Sequence, residues 1–253
     1  MTSLAPSKII AVHLSYRSRA EERGRVPAQP SYFLKAPSTL SGSGVPVARP
    51  GGCELLAFEG EIALVIGAET RHVRPEEAWS RVGWVTAAND FGVYDLRYAD
   101  PGSNAHSKGF DGFTPAGPEL LAAADIDPAR LRLQTWVNGQ RVQHAQSADL
   151  LFSLELIVAD LSRVMTLCAG DLILTGTPTG SSVVVPGDIV EVEVDAGPDL
   201  RTGRLRNPVV QSAQPLGPWG APPVITPDTL SAAYGTVPVP GRFTGRLTGP
   251  GSQ

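Results

Sequence analysis

Two glutamates, Glu59 and Glu61, stand two positions apart at the start of an apolar run that continues to Ile66. Residues two apart on a β-strand point to the same face of a sheet, so the two carboxylates are predicted to lie side by side. Two like charges this close repel unless a cation lies between them or one carboxyl group keeps its proton. The alternative is a solvated strand edge, where charged residues are common. The spacing alone leaves both interpretations open.

A third carboxylate, Asp90, follows the apolar stretch from Trp84 to Asn89. It is predicted to lie where a strand leaves the core and side chains can face a cleft, although alone it is also an ordinary turn residue. Three carboxylates at strand ends can offer oxygen ligands to a hard divalent cation and leave positions for water and substrate. Ligation by carboxylates alone indicates Mg²⁺ or Mn²⁺, is compatible with Ca²⁺, and disfavours zinc.

Two glycine-containing segments carry polar groups that a core does not require. Lys108 stands beside glycines in a run that continues to Pro115, where backbone can approach a ligand closely. The segment Thr175-Gly176-Thr177-Pro178 follows an apolar run and offers hydroxyls and backbone N–H groups that suit a carboxylate. It lacks the Gly-Lys-Ser/Thr ending of a nucleotide-binding P-loop, which excludes that interpretation. Ordinary turn chemistry is the alternative for both segments.

Strand signals dominate the elements that would position these groups. The clear helical patterns are at residues 75–82, with a proline and acidic residues in the first turn, and at residues 153–167, which Ser153 can cap. Apolar runs bounded by turn residues predict strands at residues 55–58, 62–66, 84–89, 131–137, 172–175, 183–185 and 189–194. Many short strands with few helices predict a β-rich α+β fold.

Length, composition and charge narrow the class of protein. The 253 residues can bury a full core, and 42% hydrophobic with 18% charged residues is ordinary for a globular chain. A net charge of −4 with scattered basic residues predicts no nucleic-acid partner and no membrane partner. The two cysteines and four histidines lack metal-ligand spacing, and no signal peptide is evident. We therefore expect a cytoplasmic protein with two reduced thiols.

In combination, the motifs resemble those of the fumarylacetoacetate hydrolase family. The pieces that carry the resemblance lie between about residues 10 and 210 and are, in chain order, Tyr32 to Leu40, Phe58 to Glu61, Asn89-Asp90, Lys108 to Gly112, Gly170-Asp171 and Thr175 to Pro178. The resemblance implies a mixed β-sandwich roll with few helices, a homodimer and a cytoplasmic location. It also implies a divalent metal at Glu59, Glu61 and Asp90, with Lys108 and Thr177 contacting the substrate.

An N-terminal segment indicates which branch of the family the chain resembles. The hydrolases usually carry a His–Glu pair in a segment of the form G-x-N-Y-x-x-H-x-x-E, and here Arg19 stands at the histidine position while Glu22 matches the glutamate. Arginine keeps its proton at neutral pH, so it cannot be the base that activates water. Through Leu14, Arg17 and Ser18 the segment is instead similar to the branch with the homoprotocatechuate-pathway decarboxylase and isomerase.

This resemblance implies decarboxylation or isomerisation of a 2-oxo or 2-hydroxydienoic di- or tricarboxylic acid in aromatic-compound catabolism. The 2-oxo acid end of the substrate is expected to chelate the cation, which stabilises the enolate formed on loss of CO₂ or a proton. Lys108 would add positive charge near that enolate, and Arg17 or Arg19 would bind a second carboxylate. The predicted site comprises Lys108 and Glu22 as catalytic residues, Tyr16, Arg17, Arg19, Lys35, Asp111 and Thr177 as substrate-binding residues, and Glu59, Glu61 and Asp90 as metal ligands.

The sequence also leaves alternative activities open and suggests a division of the chain into three parts. The alternatives are C–C hydrolysis of an acylpyruvate or fumarylpyruvate, oxaloacetate decarboxylation or tautomerisation, and binding of metal and 2-oxo acids without turnover. Residues 1–50 are predicted to form an N-terminal segment and lid region, and residues 51–212 a catalytic domain. Residues 213–253 form a Pro- and Gly-rich tail that is either disordered or wrapped around a partner subunit.

Overall fold

The computed structural model describes residues 4–235 as a β-rich α+β fold, which confirms the predicted fold class. Its strands are β1 (Ile9–Val12), β2 (Tyr32–Lys35), β3 (Leu40–Ser41), β4 (Val47–Gly51), β5 (Leu56–Ala57), β6 (Gly60–Ile66), β7 (Val82–Asn89), β8 (Gly92–Val93), β9 (Thr114–Ala122), β10 (Arg132–Val137), β11 (Gln140–Gln146), β12 (Leu172–Leu174), β13 (Ile189–Gly197), β14 (Leu200–Arg201) and β15 (Leu205–Pro215). Its α-helices are α1 (Arg17–Glu22), α2 (Pro75–Ala78), α3 (Ala105–Lys108), α4 (Leu154–Val164) and α5 (Pro227–Tyr234).

The strands form two large mixed sheets and one small ribbon. The first sheet has the order β2-β1-β12-β6-β7-β9-β3, with β1 parallel to β12 and β3 parallel to β9. The second has the order β11-β10-β13-β15-β4, with β14 paired to β13, and the ribbon consists of β5 and β8. Because β1 and β2 are hydrogen-bonded into the first sheet, the N-terminal part of the chain builds the same sheet as β6 and β7. The predicted division into three parts stays a prediction.

The main core lies between the two large sheets and helix α4. Strand β6 contributes Ile62, Leu64 and Ile66, the alternate positions of a strand with one face turned inward. Val192 and Val194 of β13 belong to the same buried cluster. Helix α4 adds Leu154, Ile157, Val158 and Leu161 at the predicted helical spacing. Since each fully buried aliphatic side chain contributes roughly 1.5–3 kcal/mol, this core holds β6 firmly in register.

Two predicted elements differ from the structure. Residues 183–185 form only an isolated bridge, between Val183 and Ala57, because the Val185 N–H donates to the turn carboxylate of Asp188 at 2.8 Å and not to a strand. In the predicted irregular tail, residues 227–234 form α5, whose N-cap Thr226 accepts from the Thr229 N–H at 3.1 Å. The final residues of the tail, 236–253, lie outside the described residues. None of the helices within residues 4–235 has the length and apolar character to cross a membrane.

Candidate active site

Three carboxylates converge where β6 begins and β7 ends. The two strands are antiparallel, with Glu61 opposite Ala88, and the Asp90 N–H donates to the Glu59 carbonyl at 2.8 Å. This register brings together Glu59, Glu61 and Asp90, and one carboxylate oxygen from each lies within 4.8 Å of the others. Glu61 and Asp90 are each only 2% exposed. The structure therefore joins the three predicted metal ligands in one buried acidic triad, which is not a solvated strand edge.

Close packing holds the backbone between the two glutamates. Gly60 lies against Thr135 of β10 so closely that any side chain would collide with it. The Gly60 N–H donates to the Gln143 side chain at 3.1 Å, and the Glu59 N–H donates to the Asn89 side chain at 2.8 Å. The backbone N–H groups of Glu59 and Gly60 thus have hydrogen-bond partners inside the protein, and this holds the backbone that carries both carboxylates.

Two buried lysines balance the charge of the acidic triad. The Lys108 Nζ lies 2.6 Å from Glu59 Oε2 and 2.5 Å from Asp90 Oδ2, and Lys35 of β2 pairs with the other Asp90 oxygen. Burial opposes the charge of Lys108, but Asp90 and Glu59 raise its pKa above the ordinary value. For Lys35, burial outweighs the attraction of Asp90 and lowers the pKa. Lys35 therefore lies behind the triad as a structural counter-ion, whereas Lys108 lines the pocket described below.

The two glutamates have opposite pKa shifts. Burial alone would raise the pKa of Glu59, but Lys108 and Arg19 hold it well below its ordinary value. Burial raises the pKa of Glu61 well above its ordinary value, and the like charges of Asp90 and Glu59 add to that shift. The positive charge of Lys108 and the Gly176 N–H, which donates to Glu61 at 2.5 Å, oppose the shift without cancelling it. Glu61 is therefore the member of the triad whose negative charge is least compensated.

The Thr175 to Pro178 segment forms a wall beside the triad. Gly176 has φ of +95° and its Cα faces Ser15, so only glycine suits this turn. The Gln143 side-chain amide donates to Thr177 Oγ1 at 2.8 Å and to the Pro178 carbonyl at 2.9 Å. Gln143 was not predicted as a site residue. Its only signal in the sequence is a polar side chain at a position of β11 that proves to be buried.

Arg19 and Glu22 form an ion pair at the edge of the triad. The Arg19 guanidinium donates to the Glu22 carboxylate, and its Nη2 lies 3.6 Å from Glu59 Oε1. Burial opposes the charge of Arg19, but Tyr94, Glu59 and Glu22 raise its pKa. Glu22 also accepts from Thr179 Oγ1 at 2.9 Å. The Glu22 carboxylate is thus engaged by a permanent cation and a hydroxyl.

A pocket opens over the triad and contains part of the predicted site. The predicted residues that line it are Arg19, Glu59, Glu61, Asp90, Lys108 and Thr177. Tyr16 is instead fully buried in the main core, where its hydroxyl has no hydrogen-bond partner among residues 4–235. Arg17 is the first residue of α1 and is exposed to solvent, and Asp111 lies in an exposed turn. Lys35, predicted to bind substrate, and Glu22, predicted to be catalytic, do not line the pocket either. The structure therefore brings none of these five predicted site residues to the pocket.

The sequence prediction missed other residues that line the pocket, among them Tyr94, His13, Arg23 and Arg97. The Tyr94 hydroxyl donates to Glu59 Oε1 at 2.7 Å, and the His13 ring packs on Phe33 with centroids 4.7 Å apart. Arg23 and Arg97 also line the pocket. The sequence offered one signal for these residues: Arg23 lies close to Arg19 in the chain, and Tyr94 and Arg97 lie close to Asp90. Which of the many arginines face the pocket depends on the loops after α1 and β8.

A buried acidic triad at the strand ends of a β-rich fold, with lysine counter-ions and an open pocket, defines a carboxylate site of the kind that holds a divalent cation in an enzyme. A family model described as "Fumarylacetoacetate (FAA) hydrolase C-terminal" matches residues 8–210. The chain belongs to the fumarylacetoacetate hydrolase family, which confirms the predicted resemblance.

Three relatives illustrate the range of activities around this chain. The 4-hydroxyphenylacetate degradation bifunctional isomerase/decarboxylase of Escherichia coli is 40% identical over 206 residues, which are 80% of this chain and 46% of that protein. This chain thus spans about half the length of that relative. A 2-hydroxyhepta-2,4-diene-1,7-dioate isomerase from Mycobacterium marinum matches with a TM-score of 0.73 and 36% identity, over 83% of this chain and 77% of that one. A fumarylpyruvate hydrolase from Pseudomonas aeruginosa, in complex with Mn²⁺ and pyruvate, matches with a TM-score of 0.74 and 26% identity, over 82% and 91%.

Proposed function

We propose that this protein is a divalent-metal-dependent decarboxylase or isomerase of a 2-oxo or 2-hydroxydienoic di- or tricarboxylic acid in aromatic-compound catabolism. The observation that carries the proposal is the buried acidic triad with Lys108 beside it and with Glu22 paired to an arginine. The Escherichia coli and Mycobacterium marinum relatives, whose names describe isomerase and decarboxylase activities, support the same reaction class.

The donor set suits a hard divalent cation. Carboxylate oxygens are the preferred ligands of Mg²⁺ and Mn²⁺, and Glu59, Glu61 and Asp90 offer one each within 4.8 Å of one another. Glu61, the least compensated carboxylate, gains most from an added positive charge. A divalent cation held by these residues would supply a Lewis acid for the 2-oxo acid end of the substrate. We propose Mg²⁺, with Mn²⁺ as the alternative because the Pseudomonas aeruginosa relative was solved with that ion.

The protein's own residues supply positive charge and orientation. Lys108 directs an ammonium group into the pocket beside Glu59 and Asp90, close to where negative charge would develop on the substrate as CO₂ or a proton leaves. Thr177 borders the same space, with its hydroxyl oriented by Gln143. Because the permanent charge of Arg19 engages Glu22, the pair is poorly suited to take a proton from water.

C–C hydrolysis of an acylpyruvate or fumarylpyruvate is the second candidate. It is favoured by the similarity to the fumarylpyruvate hydrolase, of which this chain covers 91%. The three reactions differ in their products, since a decarboxylase releases CO₂, an isomerase releases no second product, and a hydrolase releases a second organic acid. Incubation with Mg²⁺ and a panel of 2-oxo and 2-hydroxydienoic diacids, oxaloacetate and fumarylpyruvate included, followed by mass analysis of the products, separates them.

Substitution of the triad tests the proposal directly. Glu59→Gln and Glu61→Gln each keep the side-chain size but remove a charge, and we expect turnover to fall by at least about 10²-fold because the cation is no longer held. Glu69→Gln, in the exposed turn after β6, is the matched control and should retain wild-type turnover. Full turnover by metal-stripped protein would contradict the proposal, as would unchanged activity of both triad variants.

We also propose that the protein acts as a cytoplasmic homodimer, as the family resemblance implies. Light scattering coupled to size-exclusion chromatography measures the mass in solution, which should be about twice the 26.6 kDa of one chain. A mass of one chain at all concentrations would refute the dimer without touching the proposed reaction.

A further inference from the structure

We propose that Arg23 and Arg97, whose guanidinium groups lie against the Tyr94 ring beside the acidic triad, form a binding site for a second carboxylate of the substrate. This inference rests on the proposed function, because the other end of the same substrate has to be anchored at the triad. It assigns the recognition of diacids to two arginines that the sequence prediction missed, and not to Arg17 or Arg19.

Tyr94 connects the acidic triad to the two arginines. Its hydroxyl donates to Glu59 Oε1 at 2.7 Å, so one edge of the ring belongs to the acidic triad. The guanidinium carbons of Arg97 and Arg23 lie 5.1 Å and 5.9 Å from the centre of the same ring, and both arginines line the pocket. A ligand that is anchored at the triad and extends along Tyr94 therefore reaches the two guanidinium groups.

The charges of the other pocket cations are already compensated. Arg19 is paired with Glu22 and Glu59, and Lys108 is paired with Glu59 and Asp90. Within residues 4–235, neither Arg23 nor Arg97 forms an ion pair with a carboxylate. Arg97 contacts the face of Tyr94, and Arg23 donates to the Tyr94 hydroxyl at 3.4 Å and to the Ala232 carbonyl of α5. Two pocket cations thus remain without a carboxylate in direct contact.

Their proximity is unfavourable until an anion binds. Burial lowers the pKa of Arg23, and the positive charges of Arg19 and Arg97 lower it further, although Tyr94 and the nearby Glu59 oppose the shift without cancelling it. A carboxylate between Arg23 and Arg97 would relieve this repulsion and would accept the paired N–H groups that a guanidinium presents. The Ala232 carbonyl limits the rotation of Arg23, so part of the ordering cost is met before the ligand arrives. The favoured ligand is a 2-oxo acid with a carboxylate at its far end.

Binding measurements with matched acids test this site separately from turnover. Calorimetry in Mg²⁺ compares three ligands: pyruvate, which engages the triad end alone, 2-oxoheptanoate, which ends in a methyl group, and 2-oxoheptanedioate, which ends in a carboxylate. We expect the wild-type protein to bind the dioate about 10- to 100-fold more tightly than the monoacid, as charged hydrogen bonds allow. In Arg23→Gln and in Arg97→Gln most of this preference should disappear, while the affinity for pyruvate stays unchanged.

The controls separate the possible failures. Arg25→Gln changes an exposed arginine two residues from Arg23 and should keep the preference for the dioate. Pyruvate binding reports whether each variant is folded at the triad end, and the two arginine variants test the site independently. Equal wild-type affinity for the two seven-carbon acids, or an equal loss for both of them in the variants, would refute the arginine site alone. If pyruvate itself does not bind with Mg²⁺, the proposed function fails and the arginine site is refuted with it.

Discussion

Replacement of Lys35 by methionine should destabilise the metal-free protein strongly, and Mg²⁺ should reverse much of the loss. The side chains of Lys35 and Asp90 are 1% and 2% exposed, so their ion pair is buried. Removing one partner of a buried ion pair typically costs about 3–5 kcal/mol, because the remaining charge lies in a poorly solvated place. Methionine fills almost the same volume as lysine, so a cavity adds little to this cost.

The structure places the expected loss at the lower end of that range. Asp90 keeps its contact with the Lys108 Nζ at 2.5 Å, so its charge is not left without any compensation. A loss of about 3 kcal/mol corresponds to a fall in Tm of roughly 6–12 °C for a chain of this size. Bound Mg²⁺ would add positive charge beside Asp90 and take over part of the role of Lys35. A cation present at 100 times its Kd stabilises the folded state by about 2.7 kcal/mol in any case.

Urea unfolding with and without saturating Mg²⁺ measures both effects. Mg²⁺ should stabilise Lys35→Met by at least 1 kcal/mol more than it stabilises the wild type, a difference of about fivefold in affinity. The control is Arg163→Met, which removes the ion pair between Arg163 and Asp160. The Arg163 side chain is 73% exposed, so this substitution should cost under about 1 kcal/mol. A loss below 1 kcal/mol for Lys35→Met, or the same loss in the presence and absence of Mg²⁺, would refute this account of the buried charges.

Two pH-dependent predictions follow from other carboxylates. Because Glu61 has a raised pKa, Mg²⁺ binding should release up to one proton, and its affinity should rise with pH; calorimetry in buffers of different ionisation enthalpy counts the proton, and no release would contradict the shift. Burial would raise the pKa of Asp171, but Lys8, Ser7 and the Cys168 N–H lower it. The ionised Asp171 carboxylate therefore stabilises the folded protein above pH 4, and this contribution is lost as the pH falls below that. Asp171→Asn should therefore cost about 2 kcal/mol at pH 7 and clearly less at a pH well below 4, and an equal cost at both pH values would contradict this.

The strand pattern and the acidic triad could be predicted because both depend on local sequence. Apolar alternation from Ile62 to Ile66 marks β6, and the side-chain period of two places Glu59 and Glu61 on one face. Asp90 joins them because β7 pairs directly with β6. The motif at Asp171, which the sequence offered only as part of the family pattern, has a structural role, since this carboxylate accepts the N–H groups of Ser7 and Lys8 and so fastens the chain before β1 to β12.

The two arginines beside Tyr94 could not be predicted, because this part of the pocket is assembled from segments distant in sequence. Arg23 follows α1, Arg97 follows β8, and Ala232 lies in a helix within a stretch whose composition indicates irregular structure. No periodicity relates these three positions. Tyr16 shows the opposite problem, since its position in the N-terminal motif indicates a ligand contact while its ring is fully buried in the core. Exposure of a side chain depends on tertiary packing, which a short motif does not encode.

The distribution of charge around the pocket bears on the choice between decarboxylation and hydrolysis. Hydrolysis needs a group that removes a proton from water, and the nearest candidate by motif, Glu22, is engaged by Arg19 and Thr179. Decarboxylation instead moves an electron pair from the breaking C–C bond onto the adjacent 2-oxo group, and it requires positive charge at that place. Lys108 supplies such a charge through a side chain that is itself fixed by two carboxylates. The pocket thus lacks a free base at Glu22 but holds positive charge for a carbanion at Lys108, and this combination favours the lyase and isomerase chemistry over the hydrolase.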